Sequence, residues 1–399
     1  MGCATWLPRS GTRFAAVAAL FKAMKQRAAL DGIAVVDLSR VLAGPLAAMT
    51  LGDLGADVIK VESPDGDDTR RWLPPADAQG RSAYYHTANR NKRSIALDLK
   101  AASDLELARR LCERADVVIA NFKPGTLERF GLGYDAIAAV NPGVVYCEIS
   151  GFGEHGGREL PGYDPLVQAV GGLMSVTGPP GSPSKTGVAI VDVVTALYAT
   201  VAVLAALYTR RDTGRGQRLT VNLLHASLAL LANQSTGWLA SGEVPQALGN
   251  THPSIEPFAT YRAADGDLML LAGNDVQFAR LAAALGAPGL AEDPRFRHNV
   301  DRVANRDELR SLLEGRLAAR TRVEWRDVLS TAGVPAGPVQ TIDEAFSLAE
   351  ALGLDAVDET SGVRTVSFPV ELSETPAATR RRPPELDEHS AEIRAELSD

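Results

Sequence analysis

The stretch Gly32–Glu62, GIAVVDLSRVLAGPLAAMTLGDLGADVIKVE, decides the architecture. Gly32–Leu38 is a short apolar run of the kind that forms a buried strand. Ala43–Leu54 reads as a helix and Ala56–Glu62 (ADVIKVE) as a second strand. Strand, helix and strand in so few residues make a βαβ unit, which requires a parallel pair and a right-handed crossover. Ser94–Leu99, Ala115–Ala120 (ADVVIA) and Val144–Ile149 (VVYCEI) extend the pattern as strands, with helices expected over Ser103–Arg114 and Thr126–Ala139. The fold class is therefore α/β: a Rossmann-like, doubly wound parallel sheet.

The turn after the first strand narrows the chemistry. Ser39-Arg40-Val41-Leu42-Ala43-Gly44-Pro45 stands where a dinucleotide fold carries G-x-G-x-x-G, and there is no Walker A motif. A nicotinamide enzyme is disfavoured despite the layout. The 399 residues carry 41 Lys+Arg against 49 Asp+Glu, a net charge of −8 that argues against nucleic acid as a partner. Cys3, Cys112 and Cys147 are far apart, with no CxxC, and the six histidines form no HExxH pair. Neither a disulfide framework nor a metal site is expected, and the default compartment is reducing.

Residues 1–30 hold five bases (Arg9, Arg13, Lys22, Lys25, Arg27) and no acid. Residues 1–28 read as a leader or disordered extension. The heavy use of Ala, Arg and Gly favours the bacterial cytoplasm over an organelle matrix. Val193–Thr209 is uncharged over seventeen residues, short for a membrane span, and runs into Arg210 and Arg211. A buried helix is expected, and no membrane partner.

A large first domain covers 29–215. A strand at Gln217–Asn222 and an apolar helix over Leu223–Ala240 lead into a smaller α+β domain within 216–330. In it Phe258–Tyr261 and Asp267–Leu271 pair, and Val276–Leu285 and Arg306–Arg320 are amphipathic helices. Val334–Pro338 marks a return, so 331–399 is assigned to the large domain and a charged tail.

Several stretches together resemble the class III CoA-transferases of the formyl-CoA and carnitine type. They are DGIAVVDLSRVLAGPLAAMTLGDLGADVIKVESPDGDDTR, YYHTANRNKRSIALDLK, ANFKPGTLERFGLGYD, ISGFGEHG, GYDPLVQAVGGLMSVTG and TGVAIVDVVTALYA, with RRDTGRGQ and AGVPAGPV beyond them. The resemblance covers about residues 29 to 345. It implies a large domain built from both chain ends, a small domain, and two chains threaded through each other as an interlocked homodimer. It also implies transfer of CoA between carboxylic acids through an aspartyl nucleophile. CoA thioesters are then substrates, and no prosthetic group, metal or ATP is needed.

The aspartate matching that nucleophile is Asp192, in GVAIVDVVT. It stands where an apolar run gives way to a helix, a place that also suits an N-cap. A helix N-terminus would favour its anion, holding it ionised from a reference pKa of about 3.9. Tyr163-Asp164 matches a His-Asp pair of the related 2-methylacyl-CoA racemases, and a phenol is a poor base where racemisation needs two. The racemase and a non-catalytic CoA-binding paralogue remain the rival readings. By the same resemblance Val41, Leu42 and Ala43 line the pantetheine channel, while Leu97, Lys100, Asn121, Phe122 and Arg129 lie near adenine and phosphates. Lys100 and Arg129 read equally well as solvated charges. Ser63 replaces an arginine of the formyl-CoA type, and Gly249–Ile255 replaces its four-glycine lid.

RVLAGP, YYHTANRNKRSIALD and GNTHPSIEPF look more like the succinyl-CoA:dicarboxylate branch, including glutarate transferases. A dicarboxylate keeps one carboxylate free, which an arginine fork would suit. Arg40 and Arg90 are the expected cations, with Arg90 equally readable as a surface charge, and His252 is an added hydrogen-bonding group. Tyr163 is the expected substrate-binding aromatic, as transferases of the formyl-CoA type carry Tyr there, and Tyr84 and Trp72 match pocket-wall positions that core packing would suit as well.

Overall fold

The computed structural model describes residues 27–360 and 362–398. The expected leader, residues 1–28, lies outside them except for its last two residues. The chain forms two compact units, one holding residues through Asp164, Ile190–Ala226 and the chain from Asp355, the other Pro165–Ala189 and Ser227–Leu354.

The large unit is built on six strands: β1 (Ala34–Asp37), β2 (Asp57–Glu62), β3 (Lys92–Ala96), β4 (Val117–Ala120), β5 (Val145–Ser150) and β6 (Arg218–Asn222). Their order is β3-β2-β1-β4-β5-β6, and every neighbouring pair is parallel. The order reverses between β1 and β4, and the crevice beyond the carboxyl ends of those strands is where doubly wound sheets take ligands. Its helices are α1 (Ala43–Asp53), α2 (Ala102–Arg114), α3 (Tyr134–Val140), α4 (Asp164–Val170), which runs on into the small unit, and α5 (Ile190–Thr213).

Strand residues alternate between two helical layers. Val36, Leu38, Val118 and Tyr146 pack with Ala108 and Leu111 of α2, Ile137 of α3, and Ile393 and Leu397 of the C-terminal helix Ser390–Ser398. On the other face α1 packs on α5, and both bury small side chains, Ala47 and Ala48 on α1 and Ala196, Ala199 and Val203 on α5. α5 spans 24 residues and holds an 18-residue stretch with a mean hydropathy of 2.2, long and apolar enough to cross a membrane. Here one face is buried and the opposite face exposes Leu197, Val201 and Tyr208.

In the small unit β7 (Phe258–Ala263) and β8 (Gly266–Leu271) form an antiparallel hairpin, with β9 (Ala336–Pro338) on β8. Helices α6 (Asp275–Ala284), α7 (Arg306–Leu317) and α8 (Arg322–Thr331) supply Phe278, Leu309, Leu313, Trp325 and Leu329 to its core.

Three expectations shift. The helix expected over Thr126–Ala139 is a 3₁₀ turn, Glu128–Phe130, and then α3, because Gly131 turns left-handed (φ +67°). The helix expected over Leu223–Ala240 breaks at Ala232 (φ +45°) into Leu223–Leu230 and Ala232–Ser241. The domain limits move as well. β6 completes the large sheet beyond residue 215, and Ala336–Pro338 pairs within the small unit, so the chain returns at Asp355 rather than 331. Turn residues and hairpin pairing are tertiary facts that a short VPAGP motif does not disclose.

Candidate active site

The first turn of α5 brings two carboxylates together. Asp164, the first residue of α4, turns its Oδ2 to the backbone N–H groups of Val191 (2.8 Å) and Asp192 (3.1 Å). It thus caps α5 from outside, satisfying donors that a helix start leaves open. Asp192 sits in that first turn, partly buried, with no such share of the amides. Burial, then the Asp164 charge, push its carboxyl up to about 7. The low, dipole-stabilised pKa expected from its position is therefore corrected: the amides serve Asp164, and Asp192 keeps the cost of burial. Burial raises the Tyr84 phenol, and Asp192, Asp164 and Asp67 raise it further. Trp72 lies edge-to-face on Tyr84 at 4.8 Å, so Trp72, Tyr84 and the carboxylate pair form one locale.

The second element is the turn after β1, at the switch point. Asn121, just past β4, accepts from the Arg40 N–H (2.8 Å) and donates to the Arg40 carbonyl (2.7 Å). The Arg40 guanidinium is half exposed, 3.9 Å from the Asp68 carboxylate and 5.5 Å from the Phe122 ring centroid. Val41 adopts φ +69°, a left-handed conformation foreign to β-branched residues that costs about 1–3 kcal/mol. Its N–H is directed at Asp67 (3.2 Å). Leu42 and Ala43, which follow it, are buried. Gly44 comes next because a Cβ there would fall 2.3 Å from Ser39 Cβ.

Beneath this turn lie four fully or nearly fully buried charges. Lys92 donates to Asp37 Oδ2 (2.8 Å), the Pro45 carbonyl (2.8 Å) and Asn89 (3.0 Å). Lys60 donates to the Ser39 carbonyl (3.0 Å) and Asp67 Oδ2 (3.0 Å). Burial alone would raise the Asp37 and Asp67 carboxyls, yet the lysines hold both below the usual carboxylate range. Burial pushes the Lys92 ammonium down to about 8 against the pull of Asp37. Sequence reasoning passed over this network. Its signal was a charge inside each of three strands of a sheet covered on both faces, where apolar residues are the rule. Beside it, a cleft at the carboxyl ends of β4, β5 and β6 is lined by Phe122, Lys123, Glu154, His155 and Asn222.

The family model for CoA-transferase family III matches residues 30–390. The chain belongs to that family. It is 45% identical over 92% of its length to the succinate–glutarate CoA-transferase of Agrobacterium fabrum, of which it covers 95%. It is 38% identical to the succinyl-CoA:glutarate CoA-transferase of Homo sapiens, matching 92% of this chain and 86% of that one. A crystal structure of a CaiB/BaiF family protein from Brucella suis superposes with a TM-score of 0.86 at 45% identity, over 93% of this chain and all of that one. The six-stranded parallel sheet is thus that of a class III CoA-transferase.

Within the transferase, the residues expected at the site divide. Asp192, Tyr84 and Trp72 share one locale, and Arg40, Val41, Asn121 and Phe122 share the switch point. Tyr163 precedes Asp164 and is 62% exposed. Lys100 and Arg129 are exposed, as solvated charges or phosphate contacts would be. Leu97 is not at a surface: it is packed in the core, 2% exposed, where adenine cannot reach its side chain. Arg90 is also displaced from its expected role. Its guanidinium is buried, forked on Asp53 (2.9 and 2.6 Å) and bonded to the Val366 carbonyl (2.7 Å). His252 belongs to the small unit, its ring tilted 59° to that of Phe258 at 5.1 Å between centroids, its Nδ1 accepting from the Ser254 N–H.

The carboxylate pair predicts a pH profile. A carboxyl held near 7 ionises across neutral pH, so a step that uses the Asp192 anion should make kcat/KM rise as pH climbs through about 7. Asp164→Asn keeps an oxygen for the Val191 and Asp192 amides and removes the like charge. The midpoint should then move to lower pH, and a profile that stays in place would show that Asp164 does not tune Asp192.

Proposed function

We propose that this transferase moves CoA from succinyl-CoA to a short dicarboxylic acid such as glutarate, through an aspartyl-CoA thioester on Asp192. An Asp192 oxygen attacks the thioester carbonyl, the C–S bond breaks, and CoA leaves as a thiolate. The thiolate attacks the aspartyl carbonyl of the resulting mixed anhydride and releases the donor acid as its carboxylate. The acceptor carboxylate then runs both steps in reverse. One thioester replaces another, which is why the exchange needs no ATP.

The observation that carries the reading is Asp192 itself: a partly buried carboxyl raised to about 7, in the first turn of a helix whose amides another side chain caps. A more basic carboxylate is a stronger nucleophile than an ordinary one. The glutarate transferases at 38–45% identity support the choice of acids. The exposed apolar side chains Leu197, Val201 and Tyr208 on α5 support self-association as a homodimer.

Purified protein incubated with succinyl-CoA and a panel of acids, without ATP, should form glutaryl-CoA. Failure to form a new thioester from any dicarboxylic acid would sink the substrate assignment. Sedimentation of the same preparation should give twice 42.2 kDa, and the monomer mass would count against the dimer.

A further inference from the structure

The turn Ser39–Val41 is held almost wholly by side chains. The Ser39 N–H donates to Asp37 (2.9 Å) and its carbonyl accepts from Lys60 (3.0 Å). Both backbone groups of Arg40 pair with Asn121, and the Val41 N–H is directed at Asp67. Asp67 is in turn fixed by Lys60 Nζ (3.0 Å) and by the Thr69 N–H (3.0 Å) and hydroxyl (2.7 Å). One buried ammonium thus ties both ends of the turn.

Val41 is the telling residue. Glycine would make the same left-handed turn without strain. Valine makes it only while something holds it, and then the turn has a single shape. The side chain that this shape leaves outside is Arg40, beside Phe122 at the switch point of the sheet and 3.9 Å from the exposed Asp68, a solvent-screened pair that an incoming anion replaces.

We propose that Lys60 and Asp67 are positioning residues, which hold Val41 left-handed so that Arg40 stands ready for an anionic group of the substrate, a phosphate or a free carboxylate. The proposal rests on the CoA-transferase reading above, extending it to two residues that touch no substrate. Asp67 lies within electrostatic reach of Tyr84, and so do Asp192 and Asp164. The turn and the carboxylate pair are therefore parts of one region.

The test is a rescue. Asp67→Ala frees the Val41 N–H, and the turn relaxes away from the shape that binds. KM should rise about tenfold with kcat within about twofold, since affinity falls with the population of the competent shape. Adding Val41→Gly should return KM to within about threefold of that of Val41→Gly alone, because glycine reoccupies the left-handed region unaided. A loss of fold alone would not be repaired by a glycine. A rise confined to succinyl-CoA assigns Arg40 to a phosphate, and a rise confined to the acceptor acid assigns it to a carboxylate; both support the proposal. Unchanged KM for both substrates, or no recovery in the double variant, overturns it. Should Asp67→Ala melt below the assay temperature, the same variants are assayed below their melting point and read by the same two criteria. Should the wild type transfer no CoA, the functional reading fails first. Calorimetric Kd values for CoA across the same variants then decide the turn, a flat series overturning it.

Discussion

Asp192→Ala should reduce CoA transfer by at least about 10⁴-fold, the scale on which loss of a covalent nucleophile is felt. The methyl group offers no oxygen to attack the thioester, and Asp164 cannot substitute. Its Oδ2 is engaged with the amides of Val191 and Asp192, bonds that the variant retains because they are made by backbone. α5 should therefore start at the same residue, and CoA binding should stay close to wild type. Intact-protein mass spectrometry of the reacting wild type should show CoA added with loss of water, and peptide mapping should place it on Asp192. An adduct on another residue, or turnover that survives in the alanine variant, would remove Asp192 as the nucleophile.

Arg90→Ala should cost about 3–5 kcal/mol of folding stability, the penalty for stripping one partner from a buried ion pair. Asp53 is 2% exposed, and burial raises its carboxyl despite the Arg90 fork that opposes the shift. Arg90 also reaches the Val366 carbonyl, while Asn91 bonds the Ala378 carbonyl and the Arg380 and Arg381 amides. The pair therefore anchors the returning C-terminal segment to α1 and the start of β3. Denaturant unfolding should show the loss, with KM for acid and thioester near wild type at temperatures where the variant is folded. A variant of normal stability with a raised acceptor KM would restore Arg90 to the substrate pocket.

Arg90 and Arg40 show how far a motif carries. Both stand in loops expected near the reactive centre, and nothing local separates them. Arg40 has Asn121 on its backbone and an exposed side chain. Arg90 has a carboxylate 37 residues away in sequence and a carbonyl from near the chain end. Leu97 teaches the same lesson, since the residue beyond a strand is read as ligand-facing or core only once the covering helices are in place. Asp192 was legible as a position, and its acidity was not, because a neighbour 28 residues earlier captures the amides that would have lowered it.

The order of local elements and the parallel sheet were determined by the sequence alone. Apolar runs, turn residues and helix starts are short-range features, and a βαβ unit admits one crossover hand. Which charges are buried, which arginine stays exposed and how acidic Asp192 is were decided only by the tertiary structure. Those properties depend on desolvation and on partners a few ångströms away in space, and the chain brings such partners together from tens to hundreds of residues apart.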